Sequence, residues 1–155
     1  MVRIFKDLAN RIENHGKACY PEECCGIILG NSDDEKRVVS DVCELDNCQA
    51  ENRRRRFLVT PKEYIRAERI ATEKGLELLG FYHSHPDHPA IPSEFDREHA
   101  LPWFTYIVLA VEQGEAKVLT AWELSESRDK FLEMHLSVEQ SLRDLSGGEA
   151  KAGPI

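Results

Sequence analysis

A short segment of the chain carries several side chains that could together hold a metal ion. Residues 80–96 read GFYHSHPDHPAIPSEFD, with His83 and His85 one residue apart and Asp96 farther along. The apolar run before the histidines is expected to be a strand, on which side chains two positions apart share a face. Imidazole nitrogen and carboxylate oxygen are preferred zinc ligands, and a catalytic zinc site keeps one position open for water. The spacing therefore indicates His83, His85 and Asp96 as candidate ligands.

The same residues also fit a structural interpretation. A histidine pair at the end of a strand can belong to a solvated turn, and the following prolines mark a loop. Ser93 and Asp96 fit a capping box at the start of a helix that ends near residue 100, with the serine as N-cap. The two interpretations are compatible, because a capped helix start also fixes the direction of the aspartate.

A metal hydrolase also needs a group that carries protons, because the metal acidifies its water but does not deliver a proton to the leaving group. Residues 20–30 read YPEECCGIILG, with Glu22 and Glu23 ahead of an apolar stretch expected to be a buried strand. Either glutamate could enter a cleft from the start of that strand. Alternatively, both are exposed turn residues after Pro21.

These residues resemble the motif of the JAMM metallopeptidases, also called the JAB1/MPN family. That motif is a glutamate followed far downstream by H-[ST]-H-P, six residues, and S-x-x-D. Every position is matched here, by Glu23, by HSHP at residues 83–86, and by Ser93 and Asp96. The family's upstream element, E-x-[CM]-G, matches the ECCG that starts at Glu23 and so selects Glu23 over Glu22. The resemblance extends over about residues 5–124.

The resemblance implies a mechanism and a fold. His83, His85 and Asp96 would bind one zinc ion with water in the fourth position. Glu23 would take the proton of that water and pass it to the leaving amine. Ser93 would donate a hydrogen bond to the oxyanion, which can lower a barrier by about 3 kcal/mol. The implied architecture is α/β, a single compact αβα domain with a mixed sheet, similar to cytidine deaminase.

The resemblance also implies a substrate class. The loop PDHPAIP at residues 86–92 and the WEL segment at residues 122–124 are similar to stand-alone bacterial members of the family. Those resemble peptidases of small ubiquitin-like β-grasp sulfur carriers, which cut after a C-terminal Gly-Gly and release an amino acid such as cysteine, or another extension. A narrow cleft suits this task because glycines pass where a side chain would clash.

Two other classes compete with this assignment. One is a RadC-like protein linked to DNA, but that group typically carries HNHPSG where this chain has HSHPDH. The other is a non-catalytic MPN scaffold, which the retention of every motif position disfavours. Gly147 and Gly148 look like a cleavage site for the protein itself, although glycine pairs are common in terminal segments.

Length and composition agree with a small, free-standing catalytic domain. A chain of 155 residues with 41% hydrophobic residues is expected to build one core, with a catalytic domain over residues 1–145 and a flexible tail over 146–155. No apolar run reaches the length of a membrane span, the start lacks a secretory signal pattern, and five cysteines are an odd number. We therefore expect a cytoplasmic monomer or homodimer with reduced thiols.

Charge and cysteine spacing raise two smaller questions. The net charge of −8 argues against nucleic-acid binding, yet the chain contains four consecutive arginines, Arg53 to Arg56. These form either a solvated loop or a grip on an acidic patch of a protein substrate. Cys43 and Cys48 could belong to a second metal site, but free thiols or an occasional disulfide are preferred because no histidine lies nearby.

Periodicity and turn residues predict the elements. Four helices are expected, at residues 2–17, 61–74, 93–100 and 127–145. The predicted strands cover residues 24–29, 37–45, 57–59, 76–82, 105–111 and 116–124, with a turn at 31–35, a loop at 46–56 and a hairpin turn at 112–115.

Overall fold

The computed structural model describes residues 1–45 and 59–140. The helices are α1 (Lys6–Cys19), α2 (Pro61–Lys74) and α3 (Glu94–His99). The strands are β1 (Val2–Phe5), β2 (Cys25–Ser32), β3 (Arg37–Leu45), β4 (Glu77–Pro86), β5 (Thr105–Glu112), β6 (Glu115–Leu124), β7 (Phe131–Met134) and β8 (Leu136–Glu139). No helix within these described residues is both long and apolar enough to cross a membrane.

All eight of these strands form one mixed sheet in the order β7-β6-β5-β4-β2-β3-β1-β8. The central strand β4 runs parallel to β5 and antiparallel to β2. Leu8 and Ile12 of α1 pack on one face of the sheet, and Ala67 and Ala71 of α2 pack on the other. The predicted α/β architecture with helices on both faces of a mixed sheet is confirmed.

The two central parallel strands are buried because helices cover both faces. In β4 every residue from Leu79 to Pro86 is buried, and seven of the eight residues of β5 are buried as well. The register places His83 opposite Val108 and His85 opposite Ala110. Both histidines therefore lie inside the rigid centre of the sheet rather than in a loop beyond it.

Several local predictions hold. Thr60 caps α2 by accepting a hydrogen bond from the amide of Glu63 at 3.3 Å, Pro61 opens the helix, and Gly75 ends it with a left-handed φ of 68°. The hairpin between β5 and β6 turns at Gln113 and Gly114, both with positive φ, as a tight hairpin requires. These elements form where they were predicted, because caps and tight turns are specified by residues close in sequence.

The prediction for the start of the chain was partly wrong. Val2–Phe5 is a strand, and the helix begins only at Lys6. The apolar residues of this segment fit a helical stripe, but β1 pairs in parallel with both β3 and β8. Pairing on two sides buries Val2 and Ile4, and that burial overrides the local pattern.

The prediction of a final helix over 127–145 was wrong wherever it can be compared. Residues 131–134 form β7 against the end of β6, and residues 136–139 form β8 against β1. These short strands complete opposite edges of the sheet, and pairing between strands so far apart in the sequence leaves no reliable local pattern.

Two further bounds differ from the prediction. Strand β2 continues to Ser32, into the predicted turn, and Val59 of the predicted strand at 57–59 lies in no strand.

Some predictions fall outside the described residues. They concern the loop at 46–56, residues 57–58, Cys48, the arginines at 53–56, the glycine pair at 147–148, the end of the predicted final helix and the tail at 146–155.

Candidate metal centre

Three predicted ligands meet at the end of β4. His83 and His85 are 1% and 6% exposed and point to the same face of the sheet. Their Nε2 atoms lie 3.0 Å apart, and each is 3.2 Å from Oδ2 of Asp96. The structure thus brings two imidazole nitrogens and one carboxylate oxygen to a single point.

The predicted capping box at the start of α3 holds the aspartate. The hydroxyl of Ser93 accepts a hydrogen bond from the amide of Asp96 at 3.1 Å, and the amide of Ser93 donates to Oδ2 of Asp96 at 2.7 Å. Burial would raise the pKa of Asp96, but the interactions with His83, His85 and the Ser93 amide more than offset it and hold that pKa well below its usual range. The carboxylate is therefore ionised and fixed in direction.

The loop after β4 fixes the orientation of one imidazole. Nδ1 of His85 lies 2.8 Å from the carbonyl oxygen of Pro89, which can only accept, so Nδ1 donates this hydrogen bond and Nε2 is the nitrogen that faces the site. Burial lowers the pKa of His83 and so favours its neutral, ligating form. The three ligand atoms lie within 4.8 Å of one another. This donor set of two nitrogens and one oxygen fits a catalytic zinc ion.

Glu23 is the buried member of the glutamate pair, 3% exposed, whereas Glu22 is exposed. It precedes β2, whose first residue Cys25 pairs with His83. Burial, followed by the negative charge of Asp96, raises the pKa of Glu23 to about 9. Glu23 also lines a cavity of about 270 Å³ together with His85 and Ser93. All five residues of the motif therefore surround one location.

Ser84 explains how the distant glutamate is held beside the histidines. Its hydroxyl accepts a hydrogen bond from the amide of Cys24 at 2.8 Å, and its amide donates to the carbonyl of Cys24 at 3.1 Å. The serine lies between the two candidate ligands and is fully buried on the opposite face of β4. Ser84 thus joins the Glu23 segment to the histidine strand.

An apolar cavity beside the centre was missed by sequence reasoning. It measures about 500 Å³, and His83 and Asp96 form part of its wall. Its other walls come from α2, the end of α3 and β7, and include Tyr64, Ile65 and Phe131. The sequence held no signal for it, because the cavity depends on β7, which was predicted as a helix.

Fold and site together define a class of protein, an α/β sheet protein with a His-His-Asp centre at the end of its central strand. Residues 5–125 match the family model for prokaryotic homologs of the JAB domain. The chain belongs to this family, and the predicted membership of the JAMM proteins is confirmed.

Two relatives match different shares of the chain. A desampylase of Haloferax volcanii is 32% identical over 119 residues, which are 77% of this chain and 80% of the relative. A probable TtuB-protein conjugate cleaving protease of Thermus thermophilus is 33% identical over 63 residues, 41% of this chain and 43% of the relative. The first similarity extends over most of both chains.

Solved structures support the fold. The solution structure of a Desulfitobacterium hafniense protein has a TM-score of 0.81 and 26% identity, covering 93% of this chain and 97% of that one. A JAB1/MPN domain protein of Archaeoglobus fulgidus has a TM-score of 0.57 and 18% identity, covering 90% of this chain and 98% of that one. The predicted JAB1/MPN fold is therefore confirmed.

Proposed function

We propose that this protein is a zinc-dependent peptidase or isopeptidase that hydrolyses the bond after the C-terminal Gly-Gly of a small ubiquitin-like β-grasp protein. The observation that carries the proposal is the buried glutamate beside the three-ligand cluster. Glu23 shares a cavity with His85 and Ser93, and the charge of Asp96 acts on its pKa. A buried carboxyl group beside a three-ligand centre lies where a proton carrier is required, and the positive charge of a bound zinc ion would lower its raised pKa toward the range in which it can accept a proton.

His83, His85 and Asp96 would hold one zinc ion. A bound zinc ion supplies Lewis acidity, which polarises a carbonyl group and makes water a better nucleophile near neutral pH. The capping box and the carbonyl of Pro89 keep these ligands in place before any metal arrives. Hydrogen-bond partners of the ligating side chains orient those side chains and so set the geometry of a metal site.

The remaining residues move protons and stabilise charge. Glu23 accepts a proton from the attacking water as the water oxygen bonds to the scissile carbonyl carbon. As the carbon–nitrogen bond breaks, Glu23 gives this proton to the leaving amine. The hydroxyl of Ser93 accepts from the amide of Asp96 and still has its own hydrogen to donate to the carbonyl oxygen as that oxygen becomes negative.

The proposed substrate class rests on the relatives and on the shape of the site. One relative is named a desampylase and another a probable TtuB-protein conjugate cleaving protease, and the second name supplies a precedent for the cleavage of protein conjugates. The apolar cavity of about 500 Å³ beside His83 suits apolar residues of a protein tail better than a small charged metabolite.

A cleavage assay with a β-grasp protein extended beyond its Gly-Gly tests this function. We expect cleavage that requires added zinc, stops with a chelator and falls about 1,000-fold in Glu23→Gln, since proton transfer contributes on the order of 10²–10⁴-fold. Glu22→Gln is the matched control and should cleave normally, because Glu22 is exposed beside the site. Equal activity of Glu23→Gln and the wild type would refute the role of Glu23.

A further inference from the structure

A second, larger groove lies on the metal face of the sheet, on the far side of the loop that follows β4. It measures about 820 Å³, and its walls include His88, Ile91, Val118, Thr120, Trp122 and Glu133. None of the five motif residues lines it, and the mechanism above does not use it. Its position and chemistry nevertheless connect it to the candidate centre.

The groove continues from the cavity that holds the proton carrier. His88, Pro89 and Ile91 line the groove and also line the smaller cavity that contains Glu23. The apolar cavity of about 500 Å³ instead meets the centre at His83 and Asp96. A chain threaded past the centre would therefore have the apolar cavity on one side and this groove on the other.

The sheet register aligns the β6 wall of the groove with the candidate ligands on β4. His83 is opposite Val108, and Val108 is opposite Thr120, so the β6 wall lies two strand spacings from the histidine strand, about 10 Å. Strand β7 pairs with β6 only from Ala121 to Leu124. Among the described residues, no strand pairs with the outer side of the earlier part of β6. An open strand edge of this kind can bind an extended peptide by main-chain hydrogen bonds.

The surface of the groove combines exposed apolar side chains with negative charge. Ile91 is 59% exposed and Val118 is 52% exposed, although both are apolar. Glu112 and Glu133 add negative charge to the walls. Lys117 also lines the groove, but its positive charge is paired, because its Nζ atom lies 3.1 Å from Oε2 of Glu115. The groove therefore favours a ligand with apolar and positively charged side chains.

We propose that this groove binds the polypeptide on the leaving-amine side of the scissile bond, as an extended basic segment that follows the Gly-Gly. This inference rests on the proposed function and names its leaving group. Glu23 must reach the leaving nitrogen to protonate it, so the leaving group lies on the Glu23 side, where the groove begins. A single released amino acid would end within the smaller cavity and would not reach Val118 or Glu133.

The test compares two substrates that share one β-grasp carrier ending in Gly-Gly. One carries a single further amino acid, and the other carries a basic peptide of about eight residues, long enough to cross the groove when extended. We expect the wild type to cleave the peptide extension with the higher kcat/KM. In Glu112→Lys/Glu133→Lys the ratio of kcat/KM for long over short extension should fall about fivefold, the size expected for two exposed charges.

Glu35→Lys/Glu73→Lys is the matched control, because it changes the net charge equally at exposed positions outside the groove. It should keep the wild-type ratio. Cleavage of the basic extension by the wild type should also slow more steeply with added salt than cleavage of the single-residue extension. This second measurement needs no variant to fold.

An unchanged ratio in Glu112→Lys/Glu133→Lys, or a wild type that prefers the single-residue extension, would overturn the inference while leaving the proposed function intact. Failure to cleave either extension would instead refute the proposed function, and the inference with it.

Discussion

At the scale of single residues, the site is defined by a carboxyl group in an environment that opposes its charge. Glu23 is 3% exposed and faces the negative charge of Asp96, so its folded pKa is about 9 in the absence of a metal. Burying a carboxyl group beside a second negative charge costs free energy when the group is ionised. The arrangement is therefore expected to reduce stability in exchange for reactivity.

The first prediction concerns Glu23→Gln in metal-free protein. The unfolded pKa of this carboxyl is near 4.5, so between about pH 4.5 and pH 9 the folded state binds more protons than the unfolded state. The free energy of unfolding contributed by this group therefore falls as pH rises through that window. At pH 8 we expect Glu23→Gln to be more stable than the wild type by at least about 1 kcal/mol, and near pH 4 the gain should disappear.

Urea unfolding in the presence of a chelator measures this difference at both pH values. The exposed Glu22→Gln should follow the wild type. A metal-free Glu23→Gln that is no more stable than the wild type at pH 8 would contradict the pKa assigned to Glu23.

The second prediction concerns metal stoichiometry. We expect the wild type to bind one zinc ion per chain and His85→Ala to lose at least about 100-fold in affinity, because only two protein ligands remain. Competition with a fluorescent zinc chelator gives the affinity. His135→Ala removes an exposed histidine and should bind zinc as the wild type does. Retained tight binding in His85→Ala would show that the three-ligand assignment is wrong.

At the scale of elements, the start of the short helix α3 holds the candidate ligand Asp96 in place. Oδ2 of Asp96 accepts the hydrogen bond from the Ser93 amide that belongs to the capping box. The same oxygen also faces the Nε2 atoms of His83 and His85. The sequence offered a structural and a chemical interpretation of these residues, and the structure unites them. The hydrogen bonds that start the helix also orient the candidate ligand.

The third prediction separates the role of Ser93 in starting a helix from its role in orienting Asp96, by comparing two N-cap residues. Ser93→Ala and Thr60→Ala should each lower the free energy of unfolding by about 1 kcal/mol, since each removes a side-chain acceptor at a helix start. Only Ser93→Ala should also weaken zinc affinity, by about tenfold, because Asp96 loses its restraint. Thermal unfolding and zinc competition on both variants check this. Equal zinc affinity in the two variants would mean that the cap does not orient Asp96.

Element prediction succeeded where the signals were local and failed where they were not. Thr60, Pro61 and Gly75 placed α2, and the turn residues placed the hairpin between β5 and β6. The segment at 131–139 was predicted as a helix, yet its two strands complete opposite edges of the sheet. Their conformation comes from pairing with β6 and with β1, and no local residue encodes those partners.

At the scale of the whole molecule, charge separates the proposed function from the DNA-associated alternative. The chain carries 28 acidic and 20 basic Lys and Arg residues, for a net charge of −8. Binding to duplex DNA draws mainly on cationic surface that neutralises phosphates. An acidic protein with one arginine run has little of this surface to offer.

The fourth prediction follows from that charge. We expect no binding of a labelled DNA duplex at physiological salt up to about 100 µM protein, with any weak binding at low salt lost when Arg53 to Arg56 are replaced by glutamine. Fluorescence anisotropy measures both. Tight binding at physiological salt, together with no cleavage of an extended β-grasp protein, would favour the RadC-like alternative.

The sequence by itself determined the candidate ligands and their local geometry. The two-residue period of a strand puts His83 and His85 on one face, and a capping box fixes Asp96 relative to Ser93. Both follow from short-range geometry, so residue types and spacing suffice to predict them. The resemblance to a known family then selected Glu23 from a pair that the residues alone left open.

Only the tertiary structure decided how the distant parts meet. Antiparallel pairing of β2 with β4 sets Cys25 opposite His83, and the bonds between Ser84 and Cys24 lock Glu23 beside the ligands. The cavities on either side of the centre likewise depend on loops and on the pairing of β7 with β6. Burial and strand partners are properties of the assembled sheet. For that reason the pKa of Glu23 and the surfaces that receive a substrate could not be predicted from local patterns.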